Sequence, residues 1–253
     1  MKMFSTGVTS VTFRKLDVSA VIQLAVEAEL DGIEWGGDIH VPPTDIENAE
    51  KTGAATRKAD LKVLSYGSYY TLSDSVNPRE DFMPILETAA ALGAPLIRVW
   101  CGNRSPDKAD HTYYDKVIEN GKIMGDMCAK KGIKTAFEYH RNSLTQESES
   151  ACRVLKGIDH PFVCTGWQPN PQISHADNLG ELQQIKPWLA NVHVFHWEAN
   201  ERFLLKEGFD AWSAYLNIIK DGNHAIILEF VKNDSIEAFI QDAETLIELS
   251  VIS

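Results

Sequence analysis

The sequence lacks an excess of basic residues, a zinc-type cysteine spacing and any long apolar run, and each absence excludes a class of protein. Its 24 lysines and arginines are outnumbered by 36 aspartates and glutamates, and the formal charge of −12 argues against a nucleic-acid surface, which needs clustered basic side chains. No stretch approaches the length of a membrane span, and the opening MKMFSTG has no apolar signal-peptide core. We therefore expect a cytoplasmic protein without a nucleic-acid or membrane partner.

Cysteine is scarce and scattered. The chain has 4 cysteines, and none of them forms a CxxC or zinc-ribbon pair: Cys101, Cys128, Cys152 and Cys164. Isolated cysteines in a chain of 253 residues indicate reduced thiols in a reducing compartment rather than a disulfide framework.

Short apolar runs alternate with amphipathic segments along the whole chain. The predicted strands are Lys2–Ser5, Gly32–Trp35, Leu61–Tyr66, Leu96–Trp100, Ile133–Glu138, Phe162–Thr165, Val192–Phe195 and Ala225–Phe230. The predicted helices are Val18–Ala28, Asp45–Ala59, Pro78–Leu92, Tyr113–Lys131, Thr145–Lys156, Asn178–Lys186, Phe209–Ile219 and Ser235–Leu249. Strict alternation predicts a parallel sheet, and eight repeats predict its closure into a single (β/α)8 TIM barrel over residues 1–253.

The alternative architecture is a doubly wound open sheet. A nucleotide-binding sheet of that kind carries a glycine-rich phosphate loop after its first strand, whereas FSTGVTS has one glycine. The long connections also follow the strands rather than the helices: Gly36–Thr44, Gly67–Asn77, Cys101–Thr112, Gly166–Asp177 and Trp197–Gly208. Loop length concentrated at the carboxyl ends of barrel strands marks the functional face.

Two predicted strands end on a glutamate, Glu138 in TAFEYHR and Glu229 in AIILEF, and His193 lies on the strand between them in NVHVFHW. With an oxygen ligand added, such a set could hold Mn²⁺, Mg²⁺, Co²⁺ or Zn²⁺. A single glutamate at a barrel mouth is more often half of a salt bridge, and for Glu138 the candidate partners are Arg98 and Arg141. Two glutamates flanking a histidine-bearing strand favour a metal site over that simpler explanation.

Tryptophans recur at the predicted strand ends: Trp35, Trp100, Trp167 and Trp197. Packing under loops is the ordinary role of such residues, but sugar sites also use indoles against the apolar faces of a sugar ring. We expect Trp35 and Trp100 to line a substrate site.

Several motifs together resemble the xylose isomerase-like TIM-barrel superfamily, the sugar phosphate isomerase/epimerase group. They are GVTSVTFRKL at the start, DGIEWGGDIHVP, IRVW, and the strand ends at Glu138 and Glu229. The resemblance implies one divalent cation held by a glutamate, an aspartate, a histidine and a glutamate after strands five to eight. Glu138, His193 and Glu229 match three of these positions, and Gln168 stands at the aspartate position. With glutamine in place of aspartate, the four ligands and a dication have a formal charge of zero rather than −1. Such a site binds the metal less tightly but repels an anionic substrate less.

The resemblance further implies an isomerase or epimerase of a small keto-sugar or polyol, working through a metal-stabilised enediolate. Glu138 and Glu229 would then abstract and return the proton, while His140 and Arg202 would bind hydroxyls or a carboxylate. A solvated loop charge is an equally good explanation of Arg202.

Other functions are compatible with the same residues. The same enediolate can expel a β-hydroxyl, which would give a dehydratase of the inosose or dehydroshikimate type. The loss of the aspartate favours a different class, a non-catalytic sugar-binding barrel. A repair endonuclease is disfavoured because it needs a three-metal cluster and a basic groove. The sequence does not identify the sugar or the native metal, and it leaves homo-oligomeric assembly open.

Overall fold

Eight parallel strands close into a barrel in a computed structural model of the chain, which describes residues 2–198 and 201–251. The barrel strands are β1 Ser5–Thr9, β2 Gly32–Gly36, β3 Lys62–Leu72, β4 Leu96–Cys101, β5 Lys134–Phe137, β6 Val163–Trp167, β7 Leu189–Val194 and β10 Ala225–Leu228. Each strand pairs with its sequence neighbours, and β1 closes the ring by pairing with β10. The predicted (β/α)8 barrel is therefore confirmed, and the open-sheet alternative is wrong.

Eight α-helices alternate with the barrel strands in the described part of the chain. They are α1 Val18–Glu27, α2 Ile46–Lys58, α3 Pro78–Leu92, α4 His111–Lys131, α5 Ser148–Ile158, α6 His175–Ile185, α7 Phe209–Ile219 and α8 Ile236–Leu249. Their starts follow from local chemistry. At five of them an aspartate or serine side chain accepts a hydrogen bond from a backbone N–H of the first turn: Asp17, Asp45, Asp110, Ser174 and Ser235. None of the described helices is long and apolar enough to cross a membrane.

The first strand was predicted too early. Lys2–Ser5 was the expected strand, but β1 begins at Ser5 and runs through Gly7 and Val8 to Thr9. Gly7 fits inside the barrel because a Cβ there would lie 2.2 Å from Leu64 and 2.9 Å from the backbone of Gly32. A glycine that reads as a loop signal in sequence is here a position of close packing between strands.

A short hairpin in the loop after β7 was not predicted. Its strands, β8 His196–Glu198 and β9 Glu201–Phe203, pair antiparallel above the barrel. Except for His196, they lie within Trp197–Gly208, which the sequence predicted only as a long connection after a strand. The hairpin lies on the carboxyl-end face of the barrel, where the other long connections also lie.

Candidate metal and active site

Two glutamates at the carboxyl ends of the barrel strands are fixed by backbone pairing. The N–H of Glu138 donates to the carbonyl of Val99 over 2.9 Å, and the N–H of Glu229 donates to the carbonyl of Val194 over 3.0 Å. Each glutamate thus extends the sheet by one residue and directs its carboxylate into the barrel mouth. The chain turns immediately after Glu229, where Phe230 has a φ of 55°, an uncommon conformation for a bulky residue.

Glu138, His193 and Glu229 come together in this mouth. One ligand atom from each lies within 4.8 Å of those of the other two, and all three side chains are buried. Nδ1 of His193 lies 3.4 Å from Oε2 of Glu229. The three residues occupy β7 and the ends of β5 and β10; β7 pairs directly with β10, and only β6 separates it from β5.

Gln168, directly after β6, has a buried amide oxygen that could serve such a site. Its Nε2 donates to the carbonyl of Tyr139 over 2.8 Å, and because a carbonyl can only accept, this bond fixes Oε1 on the opposite side. Oε1 is buried and has no hydrogen-bond partner within residues 2–198 and 201–251. Gln168, Glu138 and His193 line one cavity of about 10 Å³, room for about one water molecule.

These residues fit a divalent cation. A buried acceptor without a donor is costly unless a water or a cation satisfies it. Two carboxylates, an imidazole and an amide oxygen are the donor types that Mn²⁺, Mg²⁺ or Zn²⁺ accept. The residues that could hold such an ion are Glu138, Gln168, His193 and Glu229.

Two further charged residues, Arg98 and Glu34, contact this set of side chains. Arg98 on β4 forms a buried ion pair with Glu138, and its Nε lies 3.4 Å from Oε1 of Glu34 on β2. Oε1 of Glu34 also lies 3.2 Å from Nε2 of His193. Glu229, His193, Glu34, Arg98 and Glu138 therefore form one continuous chain of alternating charge around the barrel interior.

This charge chain controls the ionisation of its members. Burial alone would raise the pKa of Glu34, but His193, Arg98 and the hydroxyl of Ser65 lower it to about 2. Burial would lower the pKa of His193, yet Glu229 and Glu34 raise it well above its ordinary value. Arg98 likewise holds the pKa of the Glu138 carboxyl below its usual range despite burial. Three carboxyl groups thus face one guanidinium and one imidazole, so the acidic groups of the chain outnumber the basic ones.

The sequence held a weak signal for these two residues. DGIEWGG and IRVW each place a charge inside an otherwise apolar strand, and a charge there is almost always paired. Glycine at position 67 makes the pairing sterically possible, since a Cβ would lie 2.9 Å from Arg98 and 3.1 Å from Glu34. The salt bridge between Arg98 and Glu138, expected as the simpler explanation of Glu138, is present beside the candidate ligand set.

Trp100 and His140 lie against this site. The indole N–H of Trp100 donates to Oε2 of Glu138 over 2.6 Å. The ring of His140 stacks on Trp100 with centroids 5.2 Å apart and planes inclined by 27°. Tyr69 meets Trp100 edge-on at 5.6 Å. These rings form an aromatic wall beside the carboxylate of Glu138, and substrate binding by Trp100 and His140 stays a prediction.

Trp35 does not line the site, and its assignment to substrate binding disagrees with its placement. The side chain is fully buried, and its indole N–H donates to the hydroxyl of Thr56 on α2 over 3.1 Å. Successive residues of a strand face opposite sides, so Trp35 faces the helices because Glu34 faces the barrel interior. The position of Trp35 near a strand end did not indicate whether its side chain would face the barrel interior or the helices.

Arg202 lies at the outer edge of the mouth on the hairpin. It forms an ion pair of 2.6 Å with Asp234 and donates to the carbonyl of Val231 over 3.3 Å. Its guanidinium also lies over the rings of Trp197 and Phe230, at 5.3 and 5.0 Å. The structure therefore holds Arg202 in place through protein contacts and does not bring it into direct contact with the charge chain.

A sequence profile described as xylose isomerase-like TIM barrel matches residues 22–249. The chain belongs to this family. The resemblance found in the sequence motifs is thereby confirmed for most of the chain.

Relatives of this xylose isomerase-like barrel include both dehydratases and epimerases. A curated 3-dehydroshikimate dehydratase from Bacillus anthracis is 21% identical over 201 residues, which is 73% of this chain and 69% of that protein. The crystal structure of the probable 3-DHS dehydratase from Bacillus anthracis superimposes with a TM-score of 0.81 at 18% identity, covering 96% of this chain and 98% of the other. A 3-keto-D-glucoside 4-epimerase from E. coli superimposes with a TM-score of 0.73 at 17% identity, covering 97% and 99%.

A xylose isomerase-like barrel from Mycobacterium smegmatis, solved in complex with magnesium, also superimposes on the chain. Its TM-score is 0.72 at 13% identity, with 98% of this chain and 96% of the other covered. Proteins of this fold thus include enzymes that epimerise, enzymes that dehydrate and a protein that binds a divalent cation.

Proposed function

We propose that the chain is a divalent-metal-dependent isomerase or epimerase of a small keto-sugar or sugar derivative. The observation that carries the proposal is the convergence of Glu138, His193 and Glu229 within 4.8 Å, next to a buried amide oxygen of Gln168 that lacks a donor in the described chain. When bound there, a cation would supply Lewis-acid chemistry to adjacent carbonyl and hydroxyl oxygens, which acidifies the carbon beside the carbonyl.

The two glutamates differ in how freely they can take a proton. Oε2 of Glu138 accepts from both Arg98 and Trp100, and the lowered pKa of this carboxyl keeps it an anion. Glu229 has no arginine or lysine within ion-pair distance in the described chain, and its charged neighbour is His193. We therefore assign proton abstraction to Glu229, which no arginine or lysine pairs with in the described chain, while Glu138 would first have to take up a proton on Oε1, the oxygen that Arg98 and Trp100 leave free, before it could return one on the opposite face.

The surrounding residues would bind and orient the substrate. The aromatic wall of Trp100, His140 and Tyr69 offers a flat surface to a sugar or a cyclic polyol. Arg98 lies deeper, with its guanidinium between Glu34 and Glu138, where it can also donate to a substrate oxygen. His140 at the rim is free to contact a hydroxyl through Nε2, since its Nδ1 lies 2.7 Å from the carbonyl of Arg141.

A dehydratase of the 3-dehydroshikimate type is the second candidate. The same proton abstraction leads to water loss when a hydroxyl lies β to the carbonyl and can leave as the electron pair moves. The similarity to the Bacillus anthracis dehydratase, at 21% identity over 201 residues, favours this outcome. The site has a fixed cation in Arg98, which would suit a substrate that carries a carboxylate.

The test is proton exchange with deuterated solvent, followed by nuclear magnetic resonance. The protein is supplied with Mn²⁺ or Mg²⁺ and incubated with ketoses, inososes and 3-dehydroshikimate. We expect the hydrogen beside the carbonyl of one substrate to exchange. Retention of all oxygens identifies the isomerase, and water loss with a new double bond identifies the dehydratase. Binding without any exchange in a metal-loaded protein would overturn both and leave a non-catalytic sugar-binding barrel.

The variants Glu229→Gln and Glu138→Gln separate the two carboxylates. Each keeps an oxygen ligand but removes a proton acceptor, so turnover should fall by about 100-fold or more, the usual contribution of general acid–base catalysis. We expect Glu229→Gln to abolish deuterium exchange and Glu138→Gln to permit exchange without product. If both variants keep near-normal turnover with the metal bound, neither glutamate is the base, and His140 becomes the first alternative.

A further inference from the structure

We infer that Glu34 is a positioning residue of this site: it orients the His193 ring so that Nδ1 faces Glu229. The inference rests on the metal site of the proposed function and adds a residue that is not itself a ligand. Glu34 would act on the site through two neighbours, His193 and Arg98.

The His193 ring is held at both nitrogens. Nε2 lies 3.2 Å from Oε1 of Glu34, and Nδ1 lies 3.4 Å from Oε2 of Glu229. A ring nitrogen that binds a cation carries no proton, so the proton of the neutral ring must lie on the other nitrogen. A carboxylate can only accept a hydrogen bond from the ring, so Glu34 requires the proton on Nε2 and leaves the Nδ1 lone pair for a cation.

Glu34 is itself immobile. Its side chain is fully buried, and the hydroxyl of Ser65 donates to Oε2 over 2.5 Å. Oε1, the oxygen nearest His193, also lies 3.4 Å from Nε of Arg98. Contacts on both oxygens prevent the carboxylate from rotating away from the ring. A residue of β2 therefore fixes the orientation of the His193 side chain. Along the chain β2 precedes β5 by three strands, and in the barrel β1 lies between β2 and β10.

The same oxygen also links Glu34 to the other candidate ligand. Arg98 contacts Oε1 of Glu34 through Nε and pairs with Glu138 through Nη1. Removing the charge of Glu34 would loosen this arginine and so change how tightly it holds Glu138. Glu34 thus orients His193 directly and Glu138 through Arg98. A carboxylate that served only to stabilise the fold would need neither contact.

The variant Glu34→Gln tests the inference, with Glu181→Gln as the matched control. Glu181 is a half-buried glutamate on α6 that accepts from the N–H of Ser148, away from the barrel mouth. Mn²⁺ affinity is measured by electron paramagnetic resonance, and the ring proton and nitrogen signals of His193 are recorded in the Mg²⁺-loaded protein. We expect Glu34→Gln to weaken Mn²⁺ binding on the order of 10–100-fold and to move the Nε2–H signal. Glu181→Gln should change neither.

A second variant covers the case in which Glu34→Gln does not fold. Glu34→Asp keeps the charge and shortens the side chain by one methylene, so it should fold with its carboxylate drawn back from His193. We expect weaker Mn²⁺ binding and a shifted Nε2–H signal with circular dichroism unchanged. An unchanged Mn²⁺ affinity and ring signal in a folded variant at position 34 would overturn the positioning role.

Failure of the proposed metal site would be visible separately. If the unchanged protein binds no Mn²⁺ and no Mg²⁺, the metal-dependent function is wrong, and the Nε2–H signal of the metal-free protein then decides the role of Glu34. A slowly exchanging ring proton that is lost in Glu34→Gln supports the orientation of His193 by Glu34. A ring proton that behaves identically in both proteins contradicts it.

Discussion

At the scale of single residues, Gln168 distinguishes this chain from the ligand set that its family resemblance implies. Its amide oxygen faces the cavity without a donor in the described structure, while its amide nitrogen is committed to the carbonyl of Tyr139. This leaves the amide oxygen available as a neutral ligand, which is the role we propose for it. A neutral ligand leaves more of the ion's positive charge uncompensated. The protein then binds the metal less tightly, but the site repels an anionic substrate less.

Changing Gln168 to aspartate should tighten Mn²⁺ binding, because it adds one negative charge next to the ion. Isothermal titration calorimetry measures the Mn²⁺ affinity. The control is Gln168→Leu, which replaces the amide with an apolar group of similar size, and this variant should bind Mn²⁺ more weakly. If both variants bind Mn²⁺ like the unchanged protein, Gln168 is not a ligand.

His193 makes metal binding dependent on pH. Glu229 and Glu34 raise the pKa of His193 and so favour the doubly protonated ring, and a cation that binds Nδ1 must displace the proton there. The stabilisation from this protonated ring is fully present below the ordinary pKa of 6.5 and is lost as the pH rises through the raised value. Metal affinity should therefore increase with pH across that window.

Calorimetry in buffers of different ionisation enthalpy measures the proton released. We expect about one proton per bound ion below the raised pKa of His193, and none in His193→Gln, which cannot lose it. Metal binding without proton release in the unchanged protein would show that the ring is already neutral and that the charge chain is misassigned.

Among the secondary-structure elements, two helix glycines differ in why the position holds glycine: Gly132 follows the end of α4, and Gly180 lies inside α6. Gly132 ends α4 with a φ of 68°, and a Cβ added there would meet nothing within 4 Å, so its backbone conformation alone requires glycine. Gly180 lies inside α6 with ordinary helical geometry and also has open space around it. The two positions thus share open surroundings and differ in backbone conformation.

Alanine should therefore have opposite effects at these positions. Gly132→Ala should lower the free energy of unfolding by about 1 kcal/mol, because a non-glycine residue is strained at positive φ. Gly180→Ala should raise it by about 0.5–1 kcal/mol through helix propensity. Urea denaturation measures the free energy of unfolding of both variants. Equal changes of the same sign would show that backbone conformation does not decide the effect of alanine at these positions.

The contact between α8 and the segment Leu205–Gly208 depends on Asp242. Its carboxylate accepts from the N–H of Leu205 over 2.7 Å, and burial raises its pKa to about 6 although this hydrogen bond lowers it. The folded state therefore favours the protonated form. The stabilisation is fully present below the ordinary pKa of 3.8 and is lost as the pH rises through about 6.

Asp242→Asn should remove this pH dependence. Asparagine keeps an oxygen for Leu205 but cannot ionise, so the variant should be more stable than the unchanged protein at neutral pH and should lose this advantage in acid. Thermal unfolding at several pH values gives the comparison. Destabilisation at neutral pH would mean that the charged carboxylate strengthens the bond to Leu205 more than burial weakens it.

At the scale of the whole molecule, the repeat of strands and helices was predictable because it is local. The helix from Pro78 to Leu92 and the glycine stops at Gly93 and Gly132 follow from patterns within a few residues. The first strand was misplaced because Gly7 serves packing against Leu64, a residue far along the chain.

The site was predictable in part, and the limit has a physical origin. Glu138, His193 and Glu229 could be found because each ends or occupies a strand, and the carboxyl ends of barrel strands converge. The contact of Glu34 with His193 joins residues 159 positions apart and is visible in no local pattern. The opposite placements of Glu34 and Trp35 depend on which side of β2 faces the barrel interior, which sequence alternation alone does not decide.

We propose that the carboxyl ends of four consecutive barrel strands form one cation site from Glu138, Gln168, His193 and Glu229. The most direct measurement is an anomalous difference map from crystals of the full chain soaked in Mn²⁺. We expect one strong peak bonded to carboxylate oxygens of Glu138 and Glu229, to Nδ1 of His193 and to Oε1 of Gln168. A map without a peak among these four side chains at saturating Mn²⁺, with Arg98 still paired to Glu138, would contradict it.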